Sequence, residues 1–250
     1  MTDALRLFGL KAIVTEAGSG IGEAIVRTFV KQGAEVLAID AAGSGVETHF
    51  RKVSGVSGVV LDMHALDASK QLASEAKKSL GGLDIVVSNF DWHRKTPIND
   101  TDAGAAEELT ENMLARTAAI YDATLSLLQR SPAGRMIVIG CLRSVFGKDG
   151  TMAYRNTELA MHRLVSKLAA RGGEFGVTAN YIQPGAVMTP ASRPVFAADR
   201  ELRDYCIRQS SAKRLADPVD IAKVALFLAT DDSVFVSGTG IRADGGVSLD

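Results

Sequence analysis

Along this chain, short runs rich in Val, Ile, Leu and Ala alternate with longer stretches whose apolar residues recur at helical spacing. The short runs at 12–14, 35–39, 59–61, 84–87, 135–139 and 177–182 read as strands, largely apolar because a parallel sheet is covered on both faces. The longer stretches at 22–32, 69–80, 105–129 and 152–170 read as helices. Strand and helix alternating in this way build βαβ units. Right-handed crossovers then give an α/β, doubly wound parallel sheet of Rossmann-like form with helices on both faces. The ligand site of such a sheet lies at the carboxyl ends of the strands, where the strand order reverses. No linker-like stretch, internal repeat or low-complexity segment divides the chain, so residues 1–250 are expected to form a single Rossmann-like domain.

Composition narrows the partners. Apolar residues make up 46% and charged residues 23%, as in an ordinary globular protein with a substantial core. The 28 basic and 29 acidic side chains leave a net charge of -1, so no bulk field draws nucleic acid or an anionic membrane, and neither is expected as a partner. Cys141 and Cys206 lack metal-ligand spacing and make no disulfide framework. No metal is expected, and a reducing cytoplasm fits. The opening MTDALRLFGLKAIVT lacks a basic-then-apolar leader pattern, and no apolar run approaches the roughly 20 residues needed to span a bilayer.

Candidate chemistry begins at Thr15-Glu16-Ala17-Gly18-Ser19-Gly20-Ile21-Gly22, between the first strand and the first helix. Glycines there permit a tight turn and let a pyrophosphate approach the helix N-terminus, whose free N–H groups and dipole attract an anion. Asp40 follows at the end of the next strand. A carboxylate at that place accepts ribose hydroxyls and repels a 2′-phosphate, which selects NAD rather than NADP.

These residues resemble the short-chain dehydrogenase/reductase family over essentially the whole length of the chain. The family's first turn reads Thr-Gly-x-x-x-Gly-x-Gly, and this chain keeps Thr15, Gly20 and Gly22 but has Glu16 at the first glycine. A carboxylate about 6 Å from a pyrophosphate, at an effective dielectric of ~20, costs on the order of 2 to 3 kcal/mol. That penalty falls away if the side chain points to solvent. The resemblance further implies that Asp62 and Met63 meet the adenine, that Asn89 follows the fourth strand in Ser88-Asn89-Phe90-Asp91, and that Pro184, Gly185 and Thr189 hold the carboxamide. With Gly18 and Ile21 of the turn, these make up the expected cofactor-binding set. Asp244-Gly245-Gly246 and the helix at 218–228 behind Arg214 match the family's C-terminal segment.

The resemblance also implies a catalytic set. A serine, a tyrosine thirteen positions on, a lysine four beyond it and an asparagine on an earlier helix map to Cys141, Tyr154, Glu158 and Asn112. The pattern is thus Tyr-x-x-x-Glu in place of Tyr-x-x-x-Lys. Free tyrosine titrates near ~10, so a relay at neutral pH needs a neighbouring cation, and a carboxylate acts in the opposite sense. Residues 154, 158 and 162 lie along one helical stripe, so Glu158 is read as a solvated residue, as a partner of His162, or as a base for Tyr154. Cys141 reads first as a small buried hydrophobe. Arg143, Arg155 and the loop Trp92-His93-Arg94-Lys95 are the nearby sources of positive charge, and a substrate lid is expected around 190–210 with Phe196, Leu202 and Tyr205 lining an apolar pocket.

The resulting expectation is an NAD(H)-dependent short-chain oxidoreductase interconverting alcohols and ketones of a small-molecule substrate, with impaired or atypical catalysis and cofactor binding weakened by Glu16. The alternatives are a non-redox enzyme on the same scaffold, such as a lyase, isomerase or dehalogenase-like protein, and a catalytically silent dinucleotide-binding homologue. The family's habit of pairing its long helices between subunits implies a homo-oligomer, a dimer or homotetramer.

Overall fold

The computed structural model describes residues 5–90 and 97–247. The chain runs β1 (Lys11–Val14), α1 (Gly20–Lys31), β2 (Glu35–Asp40), α2 (Val46–His49), β3 (Val56–Val60), α3 (Ala68–Leu80) and β4 (Ile85–Ser88). It continues through α4 (Ala103–Leu128), β5 (Arg135–Ile139), α5 (Thr151–Gly172), β6 (Thr178–Pro184), α6 (Ser192–Ala198), α7 (Arg200–Gln209), α8 (Pro218–Ala229) and β7 (Gly240–Ala243). The seven strands form one parallel sheet in the order β3-β2-β1-β4-β5-β6-β7, the doubly wound Rossmann-like arrangement.

The central strands are buried along their length because helices cover both faces. Ile13, Leu37, Val86, Ile137 and Ile182 show essentially no exposed surface. Local chemistry sets the helix ends. Gly81 takes the left-handed conformation (φ +68°) that closes α3, its N–H donating to the Lys77 carbonyl. Pro218 opens α8, where the Asp220 carboxylate accepts the Asp217 N–H at 2.9 Å and is held by Arg214 at 2.7 Å.

Three elements depart from the pattern-based expectation. The third strand begins at Val56 rather than 59, paired to β2 through Ser57 and Gly58, which carry no apolar signal. β7 completes the sheet edge against β6, from Gly240 opposite Tyr181 to Ala243 opposite Pro184. The expected lid is two short helices, α6 and α7, with a small core of their own made by Phe196, Leu202 and Cys206. Among the described residues no helix is long and apolar enough to cross a membrane.

Candidate active site

The strand order reverses between β1 and β4, which pair Val14 to Val87 and open a crevice beyond their carboxyl ends. A reciprocal clasp fixes its floor: Thr15 Oγ1 donates to the Asn89 carbonyl at 2.8 Å and accepts the Asn89 N–H at 2.9 Å. Above it the turn is tight enough that a Cβ on Gly22 would lie 2.1 Å from the Glu16 carbonyl oxygen, so the first turn of α1 admits only glycine at that position. Ser19 makes no side-chain cap, leaving the first N–H groups of α1 free to meet an anion. The crevice encloses about 270 Å³. Gly18, Gly20, Ile21, Asp40, Asn89 and Thr189 line it, joined by Ser44, Phe90 and Leu142. Asn89 Oδ1 is buried there without a hydrogen-bond partner among the described residues. An uncapped helix start, a glycine turn and an orphaned acceptor fit the phosphates and polar groups of a dinucleotide.

Glu16 is the exception in that fit. Its backbone holds φ +49°, the left-handed region where a side chain is strained and the family's glycine is not. Its carboxyl turns inward rather than to solvent. Burial raises its pKa to about 7; the charge of Asp40 and a side-chain hydrogen bond to it push the same way, with Arg116 opposing. Asp40 is engaged too, its Oδ2 accepting the Gly18 N–H at 2.7 Å. Two carboxyl groups therefore stand where a ribose would be read, and the condition under which the Glu16 penalty would fall away, a side chain free in solvent, is not met.

Tyr154 and Glu158 lie one turn apart on α5 and face a second cavity of about 440 Å³, roofed by α7. Among the described residues, no lining residue is common to the two spaces. The Tyr154 hydroxyl approaches the Pro184 carbonyl at 3.5 Å. Glu158 is 6% exposed, and its Oε1 accepts the Cys141 N–H at 3.1 Å. Burial raises its pKa to about 7, eased by the Gln183 side chain and by that N–H. The Gln183 amide nitrogen also donates to Tyr181 Oη at 3.0 Å, and Oε2 is buried without a hydrogen-bond partner among the described residues. Burial, then Glu158, drives the Tyr154 phenol well above its usual value; Arg143 alone among the named neighbours pulls it down.

The remaining site candidates separate in space. Cys141 is fully buried, its thiol directed to Met113 Sδ at 4.0 Å and raised well above its usual pKa by burial and Glu158. Asn112 is exposed on α4, and the neighbouring Met113 turns inward instead, so the asparagine assigned to the relay stands one residue out of phase. His162 lines the same cavity as Glu158, yet the acid is met by the Cys141 backbone rather than by the imidazole. Phe196 and Leu202 pack into the lid's own core, and of the three expected lid residues Tyr205 reaches the cavity.

Among the expected cofactor residues, Met63 is buried in the main core, and exposed Asp62 accepts the His64 N–H at 2.8 Å. Gly185 lines the Tyr154 cavity, and the Pro184 carbonyl lies 3.5 Å from the Tyr154 hydroxyl. Asp91 and the loop Trp92 to Lys95 lie outside the described residues. Sequence reasoning missed Arg116, which faces Glu16 from α4, and Gln183 and Tyr181, which flank Glu158 from β6. A polar residue recurring on alternate positions of an otherwise apolar strand, as at 181 and 183, was the available signal.

Comparison with known proteins agrees with this geometry. A family model described as enoyl-(acyl carrier protein) reductase matches residues 16–248. L-Fucose dehydrogenase of Bos taurus is 30% identical, with 100% of this chain and 93% of the relative aligned. Among solved structures, a hydroxysteroid dehydrogenase from Escherichia coli superposes with a TM-score of 0.82 at 28% identity, covering 99% of this chain and 100% of that one. A putative NAD(P)-dependent gluconate 5-dehydrogenase from Beutenbergia cavernae with bound NADP superposes at 0.81 and 27% identity, covering 97% and 98%.

Proposed function

Because the chain belongs to the short-chain dehydrogenase/reductase family of oxidoreductases, we propose that it binds NAD(H) and interconverts an alcohol and a ketone on a small molecule, with the family's proton relay impaired. The buried carboxyl of Glu158 at the position of the family lysine carries this reading. Burial first, and then this carboxyl, raise the pKa of the Tyr154 phenol, where a lysine ammonium would favour phenolate.

The dinucleotide, when bound, supplies or accepts the hydride. Gly18, Gly20, Ile21 and Gly22 would receive its pyrophosphate at the start of α1, with Thr15 and Asn89 setting the floor and Thr189 the far wall. Asp40 on the ribose side supports NAD over NADP, because a 2′-phosphate there meets one carboxylate and a second carboxyl at Glu16. Tyr154 holds the proton to be exchanged with the substrate oxygen, and α6 and α7 form the lid over it. The chain is proposed to act as a single domain within a homo-oligomer. Identity to dehydrogenases along the whole chain favours this reading over a non-redox enzyme.

The test is a fluorescence titration of NADH and NADPH into the purified protein, followed by a carbonyl panel. NADH should bind saturably and more tightly than NADPH, and turnover should fall about 10² to 10³ below that of a relay with its cation in place. Absence of binding of either cofactor at millimolar concentration, or a preference for NADPH, rejects the cofactor assignment. Rapid turnover by the unaltered protein rejects the impaired relay.

A further inference from the structure

We infer that the cavity beside Tyr154 is a binding site for a small organic carboxylate bearing a hydroxyl or keto group, with its carboxylate held by Arg143 and Arg155. The inference deepens the function proposed above and rests on it for the reaction such an acid undergoes.

Four arginines line this cavity, at 143, 155, 214 and 242. Arg214 is matched by Asp220 at 2.7 Å and Arg242 by Asp244 at 2.5 Å. Arg143 and Arg155 have no carboxylate partner among the described residues. Arg143 is only 9% exposed. Its Nη1 donates to the carbonyls of Phe146 and Gly147 at 2.9 and 3.0 Å, and Nη2 reaches Thr151 Oγ1 at 3.4 Å. Its guanidinium sits 5.7 Å from the Tyr154 ring centre and 5.4 Å from that of Tyr205. Carbonyls and ring faces orient this cation without neutralising it, and a buried guanidinium lacking a counter-charge is completed by a planar anion that accepts two N–H bonds.

A second observation points to the rest of the ligand. Glu158 Oε2, buried in the wall of the cavity, has no hydrogen-bond partner among the described residues; it can accept from a hydroxyl or, when protonated, donate to a carbonyl. Leu159, Ala186 and Cys206 supply apolar wall between the two polar ends. The facing acids are Glu158 and the already paired Asp244, so the lining favours an anion over a neutral or cationic guest.

Calorimetric titration with matched pairs, gluconate against glucitol and 3-hydroxybutyrate against 2-butanol, at constant ionic strength, tests this directly. At least one acid should bind about tenfold or more tightly than its neutral partner, and Arg143→Met should remove that preference. Arg155→Met, at a half-buried position, applies the same test should the first variant fail to fold. Equal binding of acid and neutral members, no acid bound at about 10 mM, or a preference unchanged in both variants overturns the site. A parallel NADH titration separates the two readings. Charge-selective binding without NADH binding retains the carboxylate site and rejects the oxidoreductase; NADH binding without charge selection does the reverse.

Discussion

Glu158 Oε1 accepts the backbone N–H of Cys141 at 3.1 Å, tying the first residue pair beyond β5 to the middle of α5. The contact explains why an acid is tolerated at a buried position: a carboxyl can satisfy this N–H, which lies where the strand ladder has ended. Gly140 takes part by absence, since a Cβ there would lie 3.1 Å from the same oxygen. Glu158 is therefore a structural acceptor as well as an electrostatic neighbour of Tyr154.

Stability should fall as pH rises from about 5 to 8. Glu158 and Glu16 are acids whose folded pKa, about 7 for each, lies above the ordinary 4.5. Below the ordinary value both folded and unfolded chains are protonated and nothing is lost. Between the two values the unfolded chain releases its protons first, and above about 7 the folded chain must hold buried charge. Glu158→Gln keeps an acceptor for Cys141 and removes one of these charges. It should raise Tm at pH 8 by about 5 °C and leave pH 5 nearly unchanged. Equal shifts at both pH values in calorimetric melts would show that Glu158 does not titrate in this range.

Replacing the acid by the family's lysine should have opposite effects on stability and chemistry. An ammonium cannot accept the Cys141 N–H, so Glu158→Lys alone should lose about 1 to 3 kcal/mol. The same change removes the second-largest cause of the raised Tyr154 pKa. Combined with Cys141→Ser it should raise NADH-dependent ketone reduction at pH 7 by about 10²-fold. Turnover no faster than the parent's, in a folded double variant that binds NADH, would place the block elsewhere.

Glu16→Gly should be stabilising and should tighten cofactor binding. It relieves the side chain held at φ +49°, a strain of about 1 kcal/mol. It also removes an acid from the cofactor crevice, and NADH affinity should improve by about one to two decades. In the parent, Glu16 is neutral below about 7 and anionic above it, so NADH should bind more weakly at pH 8 than at pH 6. The glycine variant should lose that dependence, which a fluorescence titration at both pH values measures.

Thr15→Val should loosen the crevice floor. It is nearly isosteric but breaks both bonds to Asn89, leaving a buried N–H unpaired. A loss of about 2 to 3 kcal/mol is expected, with Tm down by roughly 5 to 10 °C and weaker NADH binding. Unchanged Tm would mean that the clasp is satisfied in another way.

The sheet was legible where strands are apolar on both faces, as at Ile85–Ser88 and Arg135–Ile139, because burial writes itself into composition. β7 was not, since Gly240-Ile241-Arg242-Ala243 becomes a strand by pairing with β6 rather than through its own pattern. The glycine turn and Asp40 were readable because a dinucleotide crevice needs those residue types close together in sequence. The partner of Glu158 was not, because it is a backbone N–H across a loop, and backbone groups leave no mark in a side-chain pattern. The facing of Asn112 was not legible for a rotational reason: adjacent helix positions point about 100° apart, and here Asn112 is exposed while its neighbour Met113 is buried.

Phe196, Leu202 and Cys206 bury one another and stand apart from the apolar mass under the sheet. Helices so joined are expected to move as a pair. Their tie to the rest runs partly through Tyr205, stacked on Arg143. Opening of the Tyr154 chamber should then be a local event of low free energy, and amide exchange faster in segments 192–209 than in the strands below would show it.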